Sequence, residues 1–157
     1  MNLEIERKFL VKELNFKDLV NKTHIKQYYI SISDKMVQRL RFFDHKKTII
    51  SFKENNSGLS RYEFEYQIPL NDAKKMVQII KPIFIEKIRY IVEHKSIKWE
   101  IDQFLGKNDG LIIAEVELEH EMQNIELPDW IDIEISNKTK YYNYNLAINP
   151  YSTWKGE

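Results

Sequence analysis

Charged residues recur two apart in this chain, and often as like-charged pairs. Arg39 with Arg41 and Lys87 with Arg89 are cation pairs, while Glu4 with Glu6, Glu63 with Glu65 and Glu115 with Glu117 are carboxylate pairs. In an extended strand, residues i and i+2 project from the same face, so each pair aims at one place. Like charges side by side repel unless something of opposite sign lies between them. The carboxylates of Glu4, Glu6, Glu63, Glu65, Asp102, Glu115 and Glu117 are hard oxygen ligands, suited to Mg²⁺ or Mn²⁺. Lys8, Arg39, Arg41, Lys53, Lys87 and Arg89 are what a polyanion needs, with arginine offering forked donors to phosphate oxygens. A divalent metal beside many phosphate donors is equipment for polyphosphate chemistry.

Strands must position these groups, because period-2 alternation dominates the chain. It predicts strands at Leu3–Val11, Ile25–Ser33, Lys35–Phe43, Thr48–Lys53, Arg61–Ile68, Phe84–Glu93, Ile97–Phe104, Ile112–Glu119 and Ile131–Ser136. Each charged face has an apolar one behind it: Arg39 and Arg41 back onto Leu40 and Phe42, and Glu115 and Glu117 onto Val116 and Leu118. Asn55-Asn56-Ser57-Gly58 is a loop signal, and Lys95-Ser96 predicts a tight hairpin. Helices are fewer. Helical spacing predicts one over 15–22, a second from an N-cap at Asn71 or Asp72 to Ile80, and a short third over Tyr142–Ala147.

The ordinary explanation of such alternation is an open antiparallel sheet with one solvated face. These faces, however, carry almost no Ser, Thr, Asn or Gln among the charges. A sheet curled so that its charged face is interior explains both features, with helices covering the apolar outside. The expected class is therefore α+β: an antiparallel β-barrel forming a charged tunnel, with a few peripheral helices.

Composition removes the competing chemistries. The 157 residues include no cysteine, so a disulfide framework, a thiol nucleophile and a Cys-ligated metal are excluded. Four scattered glycines make neither a P-loop nor a dinucleotide-binding turn. Charge balances, 24 Lys+Arg against 24 Asp+Glu, which argues against a general nucleic-acid partner. Glu4 and Glu6 leave no room for a signal peptide's apolar core, and no apolar run approaches the ~18 residues of a membrane span. No linker or repeat divides the chain. The expectation is one cytoplasmic domain over residues 1–157, with no membrane partner.

Glu4-Ile5-Glu6-Arg7-Lys8 is an E-x-E-x-K motif, and Glu4–Val11 resembles the opening of the CYTH, or triphosphate tunnel metalloenzyme, superfamily. Arg39-x-Arg41, Lys53, Glu63-x-Glu65, Lys87-x-Arg89, Trp99-x-x-Asp102 and Glu115-x-Glu117 follow in the family's order on separate predicted strands. The tail, Glu134-Ile135-Ser136 with Tyr141-x-Asn143 and Leu146-Ala147, is similar to the family's closing segment. Lys140 and Ser136 depart mildly from it, where arginine and threonine are usual.

The resemblance implies an eight-stranded antiparallel tunnel, a triphosphate substrate, and Mg²⁺ or Mn²⁺ as cofactor. By matching position it implies that Glu4, Glu6, Asp102, Glu115 and Glu117 bind metal, and that Lys8, Arg39, Arg41, Lys53, Lys87 and Arg89 bind phosphates. Glu4, Glu6, Lys8, Glu63 and Glu65 form the expected catalytic group. Glu63 and Glu65 either hold a second metal or position the attacking water. Arg61 is a further phosphate contact or the partner of Glu63. The C-terminal segment is a candidate to close one tunnel end.

The leading reading is metal-dependent hydrolysis of a small triphosphate, foremost inorganic tripolyphosphate. The alternatives are an adenylate cyclase of the same superfamily, releasing pyrophosphate from ATP, and a non-catalytic polyphosphate-binding module. Glu100, Asp132 and Glu134 are read as surface or rim acids, and His24, His45, His94 and His120 as loop or surface residues. Trp130, Trp154, Tyr141, Tyr142 and Tyr144 are assigned to packing of the outer face and C-terminal helix. Exposed strand faces and aromatic surface allow a homodimer.

Overall fold

The computed structural model describes residues 2–154. Nine strands run in chain order as β1 (Leu3–Val11), β2 (Lys22–Ile32), β3 (Met36–Phe43), β4 (Lys47–Glu54), β5 (Ser60–Ile68), β6 (Phe84–His94), β7 (Ile97–Phe104), β8 (Ile112–Glu117) and β9 (Ile131–Glu134). Among the described residues two α-helices join them, α1 (Leu70–Ile80) and α2 (Asn143–Ile148), with four 3-10 turns. The strand order is β5-β4-β3-β2-β6-β7-β8-β1, and β1 pairs back onto β5 through Leu3, Glu4 and Ile5. Eight antiparallel strands are thereby closed into a barrel, and β9 adds to β1 outside the ring.

β1 divides one of its edges between two partners. Its Glu6 N–H donates to the Leu59 carbonyl at the start of β5, and its Lys8 carbonyl accepts from the Ile135 N–H beyond β9. The seam between β1 and β5 is therefore only a few residues long. β6 and β7 meet at the expected tight hairpin, where Lys95 and Ser96 take φ of 51° and 61° and His94 faces Ile97. Left-handed backbone at both central residues matches the twist of the flanking strands.

The apolar strand faces lie outside and are covered. α1 packs on β2, β3 and β4 against Leu40 and Phe42, and Ala73, which has no exposed surface, lets it approach closely. Phe9, Trp99, Ile101, Ala114 and Val116 form a second outer core, capped by Phe16, Leu19, Ile125 and Trp130. Burying each such large side chain contributes roughly 1.5–3 kcal/mol.

A third apolar cluster is inside the barrel. Val37, Ile85 and Ile113 are two residues from Arg39, Lys87 and Glu115 and so share their inward faces. They pack with Tyr29, Phe104 and Leu146 of α2, and Tyr141, Tyr151 and Trp154 seal the cluster. The C-terminal segment thus closes one end of the tunnel.

Several boundaries differ from the sequence expectation. The helix expected over 15–22 reduces to a 3-10 turn at Phe16–Asp18, capped by the Asn15 side chain. Residues from Lys22 onward are taken instead by pairing with Tyr90, Arg89 and Ile88 of β6. α1 starts at Leu70, not beyond Asn71 or Asp72, because Pro69 occupies the cap with φ of −59°. β8 ends at Glu117 rather than Glu119, and β9 at Glu134 rather than Ser136, whose hydroxyl accepts from the Lys8 N–H. Among the described residues no helix is long and apolar enough to cross a membrane.

Candidate active site

The inward faces line a cavity of about 260 Å³. Of the sequence-predicted site residues, all but Asp102 line it: Glu4, Glu6, Lys8, Arg39, Arg41, Lys53, Arg61, Glu63, Glu65, Lys87, Arg89, Glu115 and Glu117. They come from β1, β3, β4, β5, β6 and β8. Every one falls on the strand face that alternation assigned to the interior.

Register explains how so many charges coexist. Arg39 on β3 faces Ser51 on β4, which faces Glu65 on β5. Ser51 is small and wholly buried, so the arginines reach over β4 to the acids of β5. Arg39 Nε donates to Ser51 Oγ at 2.8 Å, its Nη2 donates to Glu63, and Arg41 Nη2 donates to Glu65. Like charges adjacent along a strand are therefore separated by opposite charges from a strand further on.

Two further groups complete the lining. Lys53 Nζ is 2.6 Å from Glu4, 3.2 Å from Glu6 and 4.0 Å from Glu63. Lys8 Nζ bridges Glu6 at 3.5 Å and Glu115 at 3.4 Å. Opposite them, Arg89 Nη1 meets Glu100 at 2.7 Å and its Nη2 approaches Glu115 at 3.7 Å. Arg61 faces Glu4 across β1–β5 and lies over the Tyr142 ring, 4.6 Å from its centroid. Among the described residues neither Arg61 nor Glu117 makes an ion pair within 4.0 Å.

Asp102 takes a different position from the other acids. It is wholly buried behind the cavity wall, with both oxygens engaged: Lys87 Nζ at 2.6 Å, Arg89 Nε at 2.7 Å and Arg89 Nη2 at 2.8 Å. Burial alone would push its carboxyl up, yet Arg89 and Lys87 together hold it well below the usual carboxylate range. Burial lowers the Lys87 ammonium to about 8 against the opposing pull of Asp102.

The β1 acids are pushed apart in the same way. Burial, together with Glu6 and Glu63, raises Glu4 to about 8 despite Lys53. Burial would raise Glu6 as well, but Lys53 and Lys8 outweigh it and hold that carboxyl well below its ordinary range. Glu63 is also held low against its burial, chiefly by Arg39 and Lys53.

The donor set fits a hard divalent cation. Glu6 faces Glu117 and Glu100 faces Glu115 directly across strand pairs, an arrangement of like charges that destabilises a sheet unless a cation lies between them. Lysine ammoniums now fill part of that space, and among the described residues no three Asp, Glu or His side chains converge into a ready cation cage. The cavity also fits an anion, since Arg41 Nε is buried with no hydrogen-bond partner among the described residues.

Sequence reasoning missed the neutral members of the lining: Gln27 and Tyr29 of β2, and Asn143 and Tyr144 of the C-terminal segment. Gln27 and Tyr29 share a face by alternation, which was a usable signal, but they carry no charge to mark it. Tyr142, assigned to outer packing, lines the cavity too, because the segment it begins turns over the barrel mouth. Glu100, assigned to the surface or rim, is a cavity residue paired to Arg89. His24, assigned to a loop or the surface, is half-buried on β2, 3.0 Å from Glu86. Glu134 is an outer acid, held by Arg7 at 2.8 Å.

Comparison with known proteins gives a consistent picture. A family model described as the CYTH domain matches residues 2–146. The inorganic triphosphatase of Acetivibrio thermocellus is 39% identical over 157 residues, 99% of each chain. The inorganic triphosphatase of Nitrosomonas europaea is 28% identical over 149 residues, 93% of this chain and 97% of the relative. A crystal structure of an inorganic triphosphatase superposes with a TM-score of 0.67 at 28% identity, over 92% of this chain and 94% of that one.

Proposed function

The chain belongs to the CYTH family, and on that footing we propose that it hydrolyses inorganic tripolyphosphate to pyrophosphate and orthophosphate with Mg²⁺ or Mn²⁺, in the cytoplasm. One observation carries the reading: cations from six strands and opposed carboxylates line a single cavity closed at one end. A polyphosphate chain supplies anionic oxygens that can take those cations over from their carboxylates. A pure anion binder would gain by losing Glu6, Glu115 and Glu117.

Glu4, Glu6, Glu115 and Glu117 are the residues we assign to holding the metal. Bound there, the metal would polarise a phosphoryl oxygen and favour attack by water. Lys8, Arg39, Arg41, Lys53, Arg61, Lys87 and Arg89 grip the phosphates and orient the terminal phosphorus. Water oxygen bonds to that phosphorus, the bridging P–O bond breaks, and the electron pair leaves on the pyrophosphate oxygen. The same cations stabilise the charge that develops there. The water's proton passes to a cavity carboxylate, and Glu63, kept ionised by Arg39 and Lys53, is the one we assign. Glu65 orients Arg41. Asp102, which the family resemblance groups with the metal ligands, is assigned instead to holding Lys87 and Arg89 in place.

Substrate entry exchanges partners. In the free chain Lys8 and Lys53 are tied to Glu4, Glu6 and Glu115; phosphate oxygens take these two lysines, and the three carboxylates are left to the metal. The test is product analysis of tripolyphosphate and of ATP after incubation with Mg²⁺ or Mn²⁺. Orthophosphate and pyrophosphate from tripolyphosphate support the reading. Cyclic AMP with pyrophosphate from ATP, and inert tripolyphosphate, would assign the cavity to a cyclase.

A further inference from the structure

Tyr142 occupies the middle position of Tyr141-x-Asn143, to which the resemblance of the closing segment assigns no role. Its side chain is buried and lines the cavity. The Arg61 guanidinium lies 4.6 Å from the ring centroid and the Lys8 ammonium 5.7 Å from it. Three hydrogen bonds fix where the ring stands. Its hydroxyl donates to the Ser136 carbonyl at 3.3 Å, its N–H donates to the Thr139 carbonyl at 3.0 Å, and its carbonyl accepts from the Leu146 N–H at 3.0 Å. Ser136 is itself joined to β1, where its hydroxyl accepts from the Lys8 N–H. The ring is therefore part of a frame continuous with the cavity wall.

Arg61 is held by little else. The carboxylates around it are engaged by other cations. Glu4, directly across β1–β5, is taken by Lys53 at 2.6 Å, and Glu63, two residues along the same strand face, by Arg39. Glu6 is shared by Lys8 and Lys53, and Glu115 pairs with Lys8. Among the described residues the Arg61 side chain makes no ion pair within 4.0 Å and no hydrogen bond. Lys8 and Arg61 also feel each other's like charge. An arginine without a tether has many rotamers and no fixed position, so the ring decides where this one points.

An aromatic face suits that task better than a carboxylate. Its quadrupole attracts a cation within about 6 Å of the centroid. It does so without claiming the five N–H donors in the plane of the guanidinium. A carboxylate tether would occupy those donors and would have to be displaced before phosphate could bind.

We propose that Tyr142 is a positioning residue for substrate binding: its ring holds the Arg61 guanidinium in the cavity with the N–H donors free for a phosphoryl oxygen. The inference rests on the triphosphate reading above, in which Arg61 is one of the phosphate contacts. It makes the C-terminal segment a part of the site as well as its closure. Lys8 is the lesser partner of the ring, being farther from it and already paired to Glu6 and Glu115.

The test is steady-state hydrolysis of tripolyphosphate with Mg²⁺, beside denaturant melts. The proteins compared are wild type, Tyr142→Leu, Tyr142→Phe, Arg61→Gln, and Tyr142→Leu combined with Arg61→Gln. Loss of a cation–π contact predicts a rise in KM of roughly three- to thirtyfold in Tyr142→Leu. Its kcat is expected to stay within about twofold of wild type, as for loss of a contact that serves binding alone. Tyr142→Phe keeps the ring and is expected to recover most of the KM. In the Arg61→Gln background, Tyr142→Leu is expected to add no more than about twofold, because the ring acts through Arg61. Wild-type KM in Tyr142→Leu, or the same fold-loss with and without Arg61, overturns the inference. If Tyr142→Leu does not fold, phenylalanines with one, two and three ring fluorines replace it at position 142. Fluorine withdraws negative charge from the ring face, so KM is expected to rise with each one, and a flat series overturns the inference. A wild-type protein that leaves tripolyphosphate intact would remove the triphosphate reading, and the inference with it.

Discussion

Asp102 and Arg89 meet in a two-point ion pair, Nε to Oδ1 at 2.7 Å and Nη2 to Oδ2 at 2.8 Å, with the carboxylate wholly buried. Lys87 closes on the same carboxylate at 2.6 Å. One acid thus sets the position of two cavity cations while remaining out of the cavity itself. A buried charge left without its partner is destabilising by about 3–5 kcal/mol. Asp102→Asn is therefore expected to lower stability by that order and to raise KM for tripolyphosphate. Its dependence on Mg²⁺ concentration is expected to stay as in wild type. A large shift in the Mg²⁺ requirement, measured by titrating the metal at saturating substrate, would make Asp102 a ligand after all.

Arg61 and Arg89 both line the cavity but stand differently in the fold. Arg61 stacks on Tyr142 without an ion pair among the described residues, whereas Arg89 is tied to Asp102, Glu100 and Glu115. Arg61→Gln is expected to change stability by no more than about 0.5 kcal/mol, as for a side chain outside any buried network. KM for tripolyphosphate is expected to rise roughly tenfold. Arg89→Gln is expected to lose both stability and activity. Denaturant melts beside kinetics decide it, and equal stability losses in the two variants would contradict the contrast.

Ser51 lets two arginines cross a strand. Ser51→Val fills the space over which Arg39 reaches and removes the 2.8 Å bond to its Nε. Overpacking typically costs about 1–3 kcal/mol, and a displaced guanidinium loses its aim. Activity is expected to fall at least tenfold, with Ser51→Ala retaining most of it. Equal activity in the two variants would show that Arg39 does not need this passage.

Glu4 gives the metal-free protein a particular pH dependence. Its folded-state value is about 8 against an ordinary 4.5, raised by burial and by Glu6 and Glu63. Between those values the folded chain holds a proton that the unfolded chain has released. Its contribution to stability is complete below about 4.5 and is lost as pH rises towards 8. The Tm in EDTA is expected to fall from pH 5 to pH 8, and Glu4→Gln to flatten that slope. A wild-type Tm that rises across this window would contradict the assignment.

The barrel was legible in the sequence because alternation and charge coincide. Wherever a strand carries Arg39 and Arg41, or Glu115 and Glu117, the opposite face is apolar, and an inward charged face requires closure. Thirteen of the fourteen predicted site residues line the cavity for that reason. Two kinds of fact were not legible. Pairing between distant strands decided that residues from Lys22 join β2 rather than a helix, since their partners on β6 lie more than 60 residues on. Depth decided Asp102: it shares a face with Glu100, but only three-dimensional packing shows that Lys87 and Arg89 cover it. Tyr29 escaped notice because a charge-based search does not see a phenol.

The central claim is that the paired charges of this cavity serve metal-dependent cleavage of a triphosphate. Initial rates of orthophosphate release from tripolyphosphate, with Mg²⁺ or Mn²⁺ and with EDTA, test it in one plate when run on wild type and Glu117→Gln. Glu117 makes no ion pair among the described residues and faces Glu6, so its loss leaves the fold's charge pairs intact. The account predicts turnover by wild type only with metal, and a fall of at least a hundredfold in Glu117→Gln at unchanged Tm. Turnover in EDTA, or full activity in Glu117→Gln, would contradict it.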